Sequence, residues 1–535
     1  MDCVYEIPRS ALSQSTAPLR IAPRLIAPII SIPPIPGPEF PDESQVEKRY
    51  IHFFLDKSTT GFQGMVDWTL WNRVMMQSSH QQPFVRQFVI AIAALIKSFQ
   101  VPTLTNRSNA QIQDAKSLAT LHRRYALGRY NEAIKTFQSQ VSKSETKQVL
   151  YSTLLIFFFE ALLDNRGSAL PHLLEGLRLL RSHTSQNLSQ HRSYLSKKSS
   201  LGLEDELIEA FEHLDLQVCT VFDVRPLDYH NDILDESVED IKKMPANFYD
   251  LSEARKWLNL VMARAHHFLA TTWPITETSS LTKDFVSMNA PGLIVATGFN
   301  IFSTPHRLAP ELASEQLQHK QELNRWSSSF EPVLSRCRSP DFVGSRDFLI
   351  ATLMRIHVIG TEIVLAGVLF VRETSYDRFF PEFEELLRLA EIIVDAYKKR
   401  ETKAGPEDMA FSMDLGLTPQ LFLIILRCRD SSMRRRVIAI LDTWYVEVCW
   451  NPRLITQIGQ FIMEVEGESS KEDPIPESRR AILSRIAEGS PHAGQNVCLM
   501  QVVQKCGGPD GTPLWTEKLA EYVTARKTFT GEVVE

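Results

Sequence analysis

Apolar positions recur along this chain at steps of three and four far more often than they alternate, the periodicity of helices that each bury one face. Val46, Tyr50, Phe53 and Phe54 open the pattern, and Gly61 and Gly64 interrupt it. A helix is predicted over Trp68–Gln77. Ser79 and Gln82 then form a capping box ahead of Pro83, and Phe84, Phe88, Ile92, Leu95 and Ile96 line the next helix. Within Leu121–Phe137 the run YALGRYNEAIKTF has the spacing of a tetratricopeptide half-repeat. No period of about 34 residues follows, so packing through Leu127, Tyr130, Ala133, Ile134 and Phe137 accounts for it. Leu150–Leu163 is apolar except at Ser152, Thr153 and Glu160 and predicts a core helix. Gly167 marks a turn, and Leu170, Leu173, Leu174, Leu177 and Leu180 return antiparallel, with His172 as a partly exposed packing residue. His183–Ser200 is polar and reads as an exposed loop. Further helices are predicted at Leu203–Phe222, Ser252–Thr271, Pro310–Phe330, Phe348–Val371, Phe379–Tyr397, Leu454–Val465, Glu477–Ala487 and Trp515–Lys527.

The most strongly punctuated stretch is Phe411–Trp450. Thr418 is read as an N-cap with Pro419 at the first helical position, where its missing N–H costs nothing. Leu421, Leu423, Ile424, Ile425 and Leu426 make that helix apolar nearly all round. Asp430 caps a second helix carrying Val437, Leu441, Trp444, Tyr445 and Val448 on one face. Leu426 and Trp444 are therefore expected in the core, with Trp444→Ala costing about 3–5 kcal/mol.

The residues of this hairpin carry a family resemblance. The pattern FxxDxGLxPxLFxxxxRCRDxxxRRxxIxxL, from Phe411, Asp414, Gly416 and Pro419 through Arg427, Cys428, Arg429, Asp430, Arg434 and Arg435 to Trp450, resembles a hallmark of the fungal-specific transcription factor domain. Where that family often has Gly-Leu-Trp, this chain has Val448, Cys449 and Trp450, keeping only the Trp. WTLWNRVMMQSSHQQPFVRQFVIAIAAL and LLDNRGSALPHLLEGLRLL are similar to earlier parts of the same domain, so the resemblance extends over most of the chain. It implies an all-helical regulatory region in a nuclear regulator of transcription, a class that usually carries a six-cysteine binuclear zinc cluster upstream.

Composition narrows this picture. At 535 residues, 44% hydrophobic and 23% charged, the chain has the make-up of a globular protein. A net charge of −6 gives no overall basic footprint for nucleic acid. The seven cysteines (Cys3, Cys219, Cys337, Cys428, Cys449, Cys498 and Cys506) include no pair at C-x-x-C spacing. They read as reduced, mostly buried thiols, and the chain is expected to lack the zinc cluster and to bind no zinc stoichiometrically. Residues 1–42 hold nine prolines and no uninterrupted apolar core, so they read as a disordered leader with no signal peptide. The apolar runs Leu154–Phe159 and Leu421–Leu426 fall short of the ~20 residues a bilayer requires, and the protein is expected to be soluble.

No motif for catalysis stands out: there is no H-E-x-x-H, phosphate-binding loop or nucleophile elbow. His266 and His267 are about 100° apart on a helix, a poor geometry for one metal ion. Glu204, Asp205 and Glu206 suit a helix N-terminus. The dense basic run is Arg427, Arg429, Arg434, Arg435 and Arg436. The first two are read as complementing a helix C-terminus and the rest as a solvated face, with a phosphate or acidic-partner contact as the sharper alternative. The expected fold is all-α: antiparallel helical hairpins with long polar loops, a leader at 1–42, one regulatory domain at 43–500 and a weakly specified tail at 501–535. The expected function is transcriptional regulation in the nucleus, of a metabolic or secondary-metabolite gene set. It would work without catalysis, through other transcription factors, coregulators or a small-molecule effector, with no direct specific DNA binding. The runner-up is a helical protein–protein scaffold with no role at promoters.

Overall fold

The computed structural model describes the chain from residue 43 to 524, apart from 61–69, 100–108, 141–144, 188–202, 273–309, 405–410, 490–495, 508–512 and a few isolated positions. The expectations for the leader at 1–42 and for the last residues, from 525, lie outside the described residues. Helices dominate, as the spacing predicts, and they gather round three buried apolar clusters.

The first cluster runs from Val46 to Val218. Its helices are α1 (Glu43–Thr60), α2 (Met75–Gln81), α3 (Pro83–Phe99), α4 (Asn109–Gln140), α5 (Thr146–Leu162), α6 (Arg166–Asn187) and the inner face of α7 (Asp205–Val221). A short π-helical turn, Leu70–Val74, leads into α2. Ser79 lies inside α2 and donates back to the Met76 carbonyl at 2.7 Å, so the capping box expected at Ser79 and Gln82 does not form. The capping box that exists is at α5, where Glu145 accepts from the backbone of Gln148 and the Gln148 side chain accepts from Glu145 N at 3.2 Å. In the same core Tyr130 stacks on Phe159 at 4.0 Å and donates to Glu160 at 2.6 Å. Asn165 donates to the other Glu160 oxygen at 2.6 Å. The polar exception in an apolar helix is therefore fully bonded, which is what allows it to be buried.

The second cluster joins α7 to α8 (Leu227–Ile241), α9 (Leu251–Thr272), α10 (Pro310–Cys337) and α11 (Arg346–Gly367). Helix α8, LDYHNDILDESVEDI, escaped the sequence reading because its composition is acidic. Arg264 of α9 is held bidentately by Glu322 of α10, at 2.9 Å to each oxygen, and also donates to the Leu234 carbonyl and Ser237 hydroxyl. Helix α11 is long and apolar enough to cross a membrane, with mean hydropathy 1.7, yet two thirds of its window is buried inside the protein, as in a core helix.

The third cluster is built by α11, α12 (Phe380–Ala404), α13 (Thr418–Arg427), α14 (Ser431–Leu441) and α15 (Pro452–Glu466). The all-α class holds for this body, but two expected helices are strands. Residues 481–487 of the first fall on β3 (Ala481–Gly489), after a 3₁₀ turn at Glu477–Arg479, and the described part of the second, 515–524, falls on β5 (Pro513–Thr524); both flank β4 (Asn496–Gly507) in an antiparallel sheet. A bulge between Leu483 and Arg485 shifts the phase of β3, so Ala481, Leu483 and Ile486 are all buried. A three-residue step inside a strand imitates helical spacing, which is the source of the misreading. The boundary drawn after residue 500 falls inside β4, which pairs along its length with both neighbours. Helix α14 ends at Leu441, short of the positions expected to extend its face. Trp444, Tyr445 and Val448 lie outside the described residues, and β2 (Val446–Glu447) forms a short parallel ladder with β1 (Phe411–Ser412). Leu426 is buried as expected.

Candidate functional site

Helix α13 is the element around which the hallmark residues converge. Thr418 is its first residue, and Leu417 occupies the N-cap without a side-chain bond. The capping group comes from far along the chain. Glu447, wholly buried, accepts from Thr418 N at 3.0 Å, the Thr418 hydroxyl at 2.8 Å and Gly416 N at 3.3 Å. A carboxylate here satisfies otherwise orphaned amides and faces the positive end of the helix dipole. Gly416 is required by this arrangement: a Cβ at that position would lie 2.3 Å from Glu447 Oε1. Gly416→Ala should therefore displace the cap and cost about 2 kcal/mol, read as a shift in the urea midpoint at constant slope. An unchanged midpoint would show that Glu447 has room to move.

At the other end of α13 the basic run is consumed internally. Arg427 (5% exposed), Arg429 (4%) and Arg434 (1%) are buried, which corrects the solvated-face reading for Arg434 and the phosphate reading for all three. Arg427 pairs with Glu373, which opens a short 3₁₀ helix at Glu373–Phe379, and its guanidinium lies over the Tyr376 ring at 4.8 Å. Arg429 does complement the helix end, donating to the Leu426 carbonyl. It also pairs with Glu373 at 3.2 Å and Glu466 at 2.9 Å and donates to the Ala481 carbonyl at 3.2 Å. Arg434 donates to Glu466 at 2.5 Å, and Glu466 accepts from Ala481 N at 2.7 Å. Arg480 completes the hub on Asp377, at 2.8 and 2.6 Å. Burial pushes the Glu373 carboxyl upward, but Arg427 and Arg429 outweigh it and hold it below the usual carboxylate range. Arg435 and Arg436 are at the surface, paired with Glu468 and Glu391.

The remaining hallmark positions are structural as well. Asp430 caps α14, accepting from Met433 N at 2.8 Å. Cys428 is buried with its Sγ 3.7 Å from Met433 Sδ, and Pro419 occupies the first turn of α13. Trp450 is buried edge-on to Phe422, ring centroids 5.6 Å apart. Phe411 lies in the two-residue ladder, and Asp414 lies outside the described residues. The set thus ties the helical hairpin to the 3₁₀ helix and α15 through charge pairs, and to the start of β3 through hydrogen bonds at Ala481. The sequence reading missed the partners Glu373, Asp377, Glu447, Glu466 and Arg480.

Among the described residues, one group of metal-ligating side chains comes together elsewhere: Cys219, His230 and His267, where α7, α8 and α9 meet. Tyr229 donates to Asp215 at 3.1 Å beside it. His266, the neighbour of His267, is buried separately, its pKa pushed down to about 3 by burial and by His267 and His357.

Compared with protein families, residues 49–236 match the family model described as the fungal specific transcription factor domain. The match covers about a third of the chain and nearly coincides with the first buried cluster. It includes the Trp68–Leu95 and Leu162–Leu180 segments and ends well before the α13–α14 hairpin. No curated protein and no solved structure matches the chain.

Proposed function

We propose that this chain regulates transcription in the nucleus through its helical regulatory domain. It would read a small effector or a coregulator and reach promoters through a partner that supplies the DNA-reading module. The observation that carries this reading is the coincidence of the family match at 49–236 with a self-contained apolar core. An effector that prefers one arrangement of the helices would shift the population toward it, giving control of a metabolic or secondary-metabolite gene set. Fusing the chain to a heterologous DNA-binding domain tests the role directly. A change in reporter output relative to that domain alone is expected, and nuclear fusion protein with unchanged output would favour a scaffold instead.

Indirect promoter contact is supported by the fate of the arginines. Specific DNA binding needs cations free to neutralise phosphates and side chains that reach base edges. In the densest basic run, three guanidiniums are buried against Glu373 and Glu466 and the two at the surface are paired. The purified chain alone should give no sequence-specific mobility shift at physiological salt. Specific retardation at nanomolar protein would overturn this expectation.

A further inference from the structure

We propose that Cys219, His230 and His267, with the Asp223 carboxylate, form a tetrahedral site for a divalent ion of the zinc class, joining the end of α7 to α8 and α9. This stands independently of the function proposed above and replaces the expectation of no zinc drawn from cysteine spacing. That expectation weighed ligands paired along the sequence, whereas these four come from three helices and a loop.

Geometry comes first. The Cys and His ligand atoms lie within 4.8 Å of one another. His230 Nδ1 and His267 Nδ1 face each other at 2.9 Å, and Cys219 Sγ is 3.7 Å from His267 Nδ1. Asp223 Oδ2 is 3.3 Å from that sulfur. With Zn–N near 2.0–2.1 Å and Zn–S near 2.3 Å, the edges of a tetrahedron run about 3.3–3.6 Å. The Cys and His atoms are grouped near that spacing, whereas Asp223, held by Arg225 and 3.8 Å from His230 Nε2, must turn inward to supply the fourth position.

The surroundings prepare the ligands. The His267 Nε2–H donates to Asp215 at 3.0 Å, leaving the Nδ1 lone pair aimed at His230. A carboxylate behind a ligating imidazole is the usual outer-shell support of a metal site. Without an ion, His230 must spend its own Nδ1 proton on that contact, since two lone pairs cannot face each other at hydrogen-bond distance. Arg225 is forked between Asp215 and Asp223, and its Nη2 is 3.0 Å from Cys219 Sγ, placing a cation behind a developing thiolate.

Charge completes the argument. Two buried carboxylates face one guanidinium, which leaves the cluster one negative charge in excess when the thiol and both imidazoles are neutral. A divalent ion that displaces the thiol proton brings the cluster to neutrality, and a neutral buried cluster is the cheaper state. His266, the preceding residue of α9, is buried but is not in the ligand group, so the site uses one member of the adjacent pair.

The test titrates the chelator-stripped full chain with Co2+ alone. One Co2+ per chain should give visible d–d bands of tetrahedral intensity and a near-ultraviolet thiolate-to-cobalt band, both bleached by Zn2+. Cys219→Ser should abolish the thiolate band, and His230→Gln should abolish the visible bands, with far-ultraviolet circular dichroism confirming the fold. A wild-type chain with no saturable tetrahedral spectrum overturns the proposal. So does a spectrum that survives unchanged in folded Cys219→Ser. If His230→Gln does not fold, the wild-type titration and Cys219→Ser decide the matter between them.

Discussion

Glu466→Gln should destabilise the protein by about 3–5 kcal/mol, although it changes one atom and keeps the shape of the side chain. Glu466 is wholly buried at the end of α15, between Arg429 and Arg434. Removing its charge leaves Arg434 without a counter-ion among the described residues, with its Nε and Nη2 already lacking acceptors. Arg429 retains Glu373, which is shared with Arg427. The cost is that of orphaning buried cations in a medium that solvates them poorly, and it is not the net worth of the network. The control is Glu468→Gln. Its partner Arg435 is 56% exposed and Glu468 itself 74%, so water replaces the lost contact and no measurable change is expected. Urea denaturation of the two variants beside the parent makes the comparison. A Glu466→Gln midpoint within error of the parent would mean that water reaches the hub.

The same hub shows what was legible in the sequence. Helix positions could be read because each apolar face repeats locally. Pro419 and Asp430 announced the ends of α13 and α14 for the same reason. Whether an arginine is buried depends on partners 32 to 56 residues away, and no local rule reports that. A faint signal did exist at Glu466, an acid in the last turn of a helix, where the dipole disfavours negative charge and a cation is needed. Glu447, a lone charge in the run WYVEVCW, was a similar clue. Strand β3 was hidden by its bulge, whose phase shift turns alternation into a three-residue step. The His and Cys cluster was hidden because its members are unremarkable on their own helices and meet only where three of them cross.

Acid should unfold this protein from the inside, and His357 makes the effect measurable at one residue. His357 is buried on α11, its Nε2 donating to the Leu415 carbonyl at 3.0 Å and its Nδ1 facing Gln420 Nε2 at 3.4 Å, so the neutral ring is fully bonded. Burial pushes its pKa down to about 4, with Arg255 acting in the same direction and the Leu415 bond opposing both. The unfolded chain, with a histidine near 6.5, takes up the proton first. The stability due to the neutral ring is therefore complete above about pH 6.5 and is lost as the pH falls toward the folded value. The loss should reach about 2 kcal/mol at about pH 5 and about 3 kcal/mol near pH 4. His357→Gln keeps a polar side chain in place and removes the titration. Its stability at neutral pH will differ from the parent for packing reasons, so the readout is the slope. Urea unfolding between neutral pH and about pH 4.5 should give a flatter curve for His357→Gln than for the parent. The effect of His357 on His266 works in the same sense, because an uncharged residue 357 no longer depresses its neighbour. Parallel curves would show that residue 357 takes up its proton as readily folded as unfolded, and that burial does not hold the ring neutral.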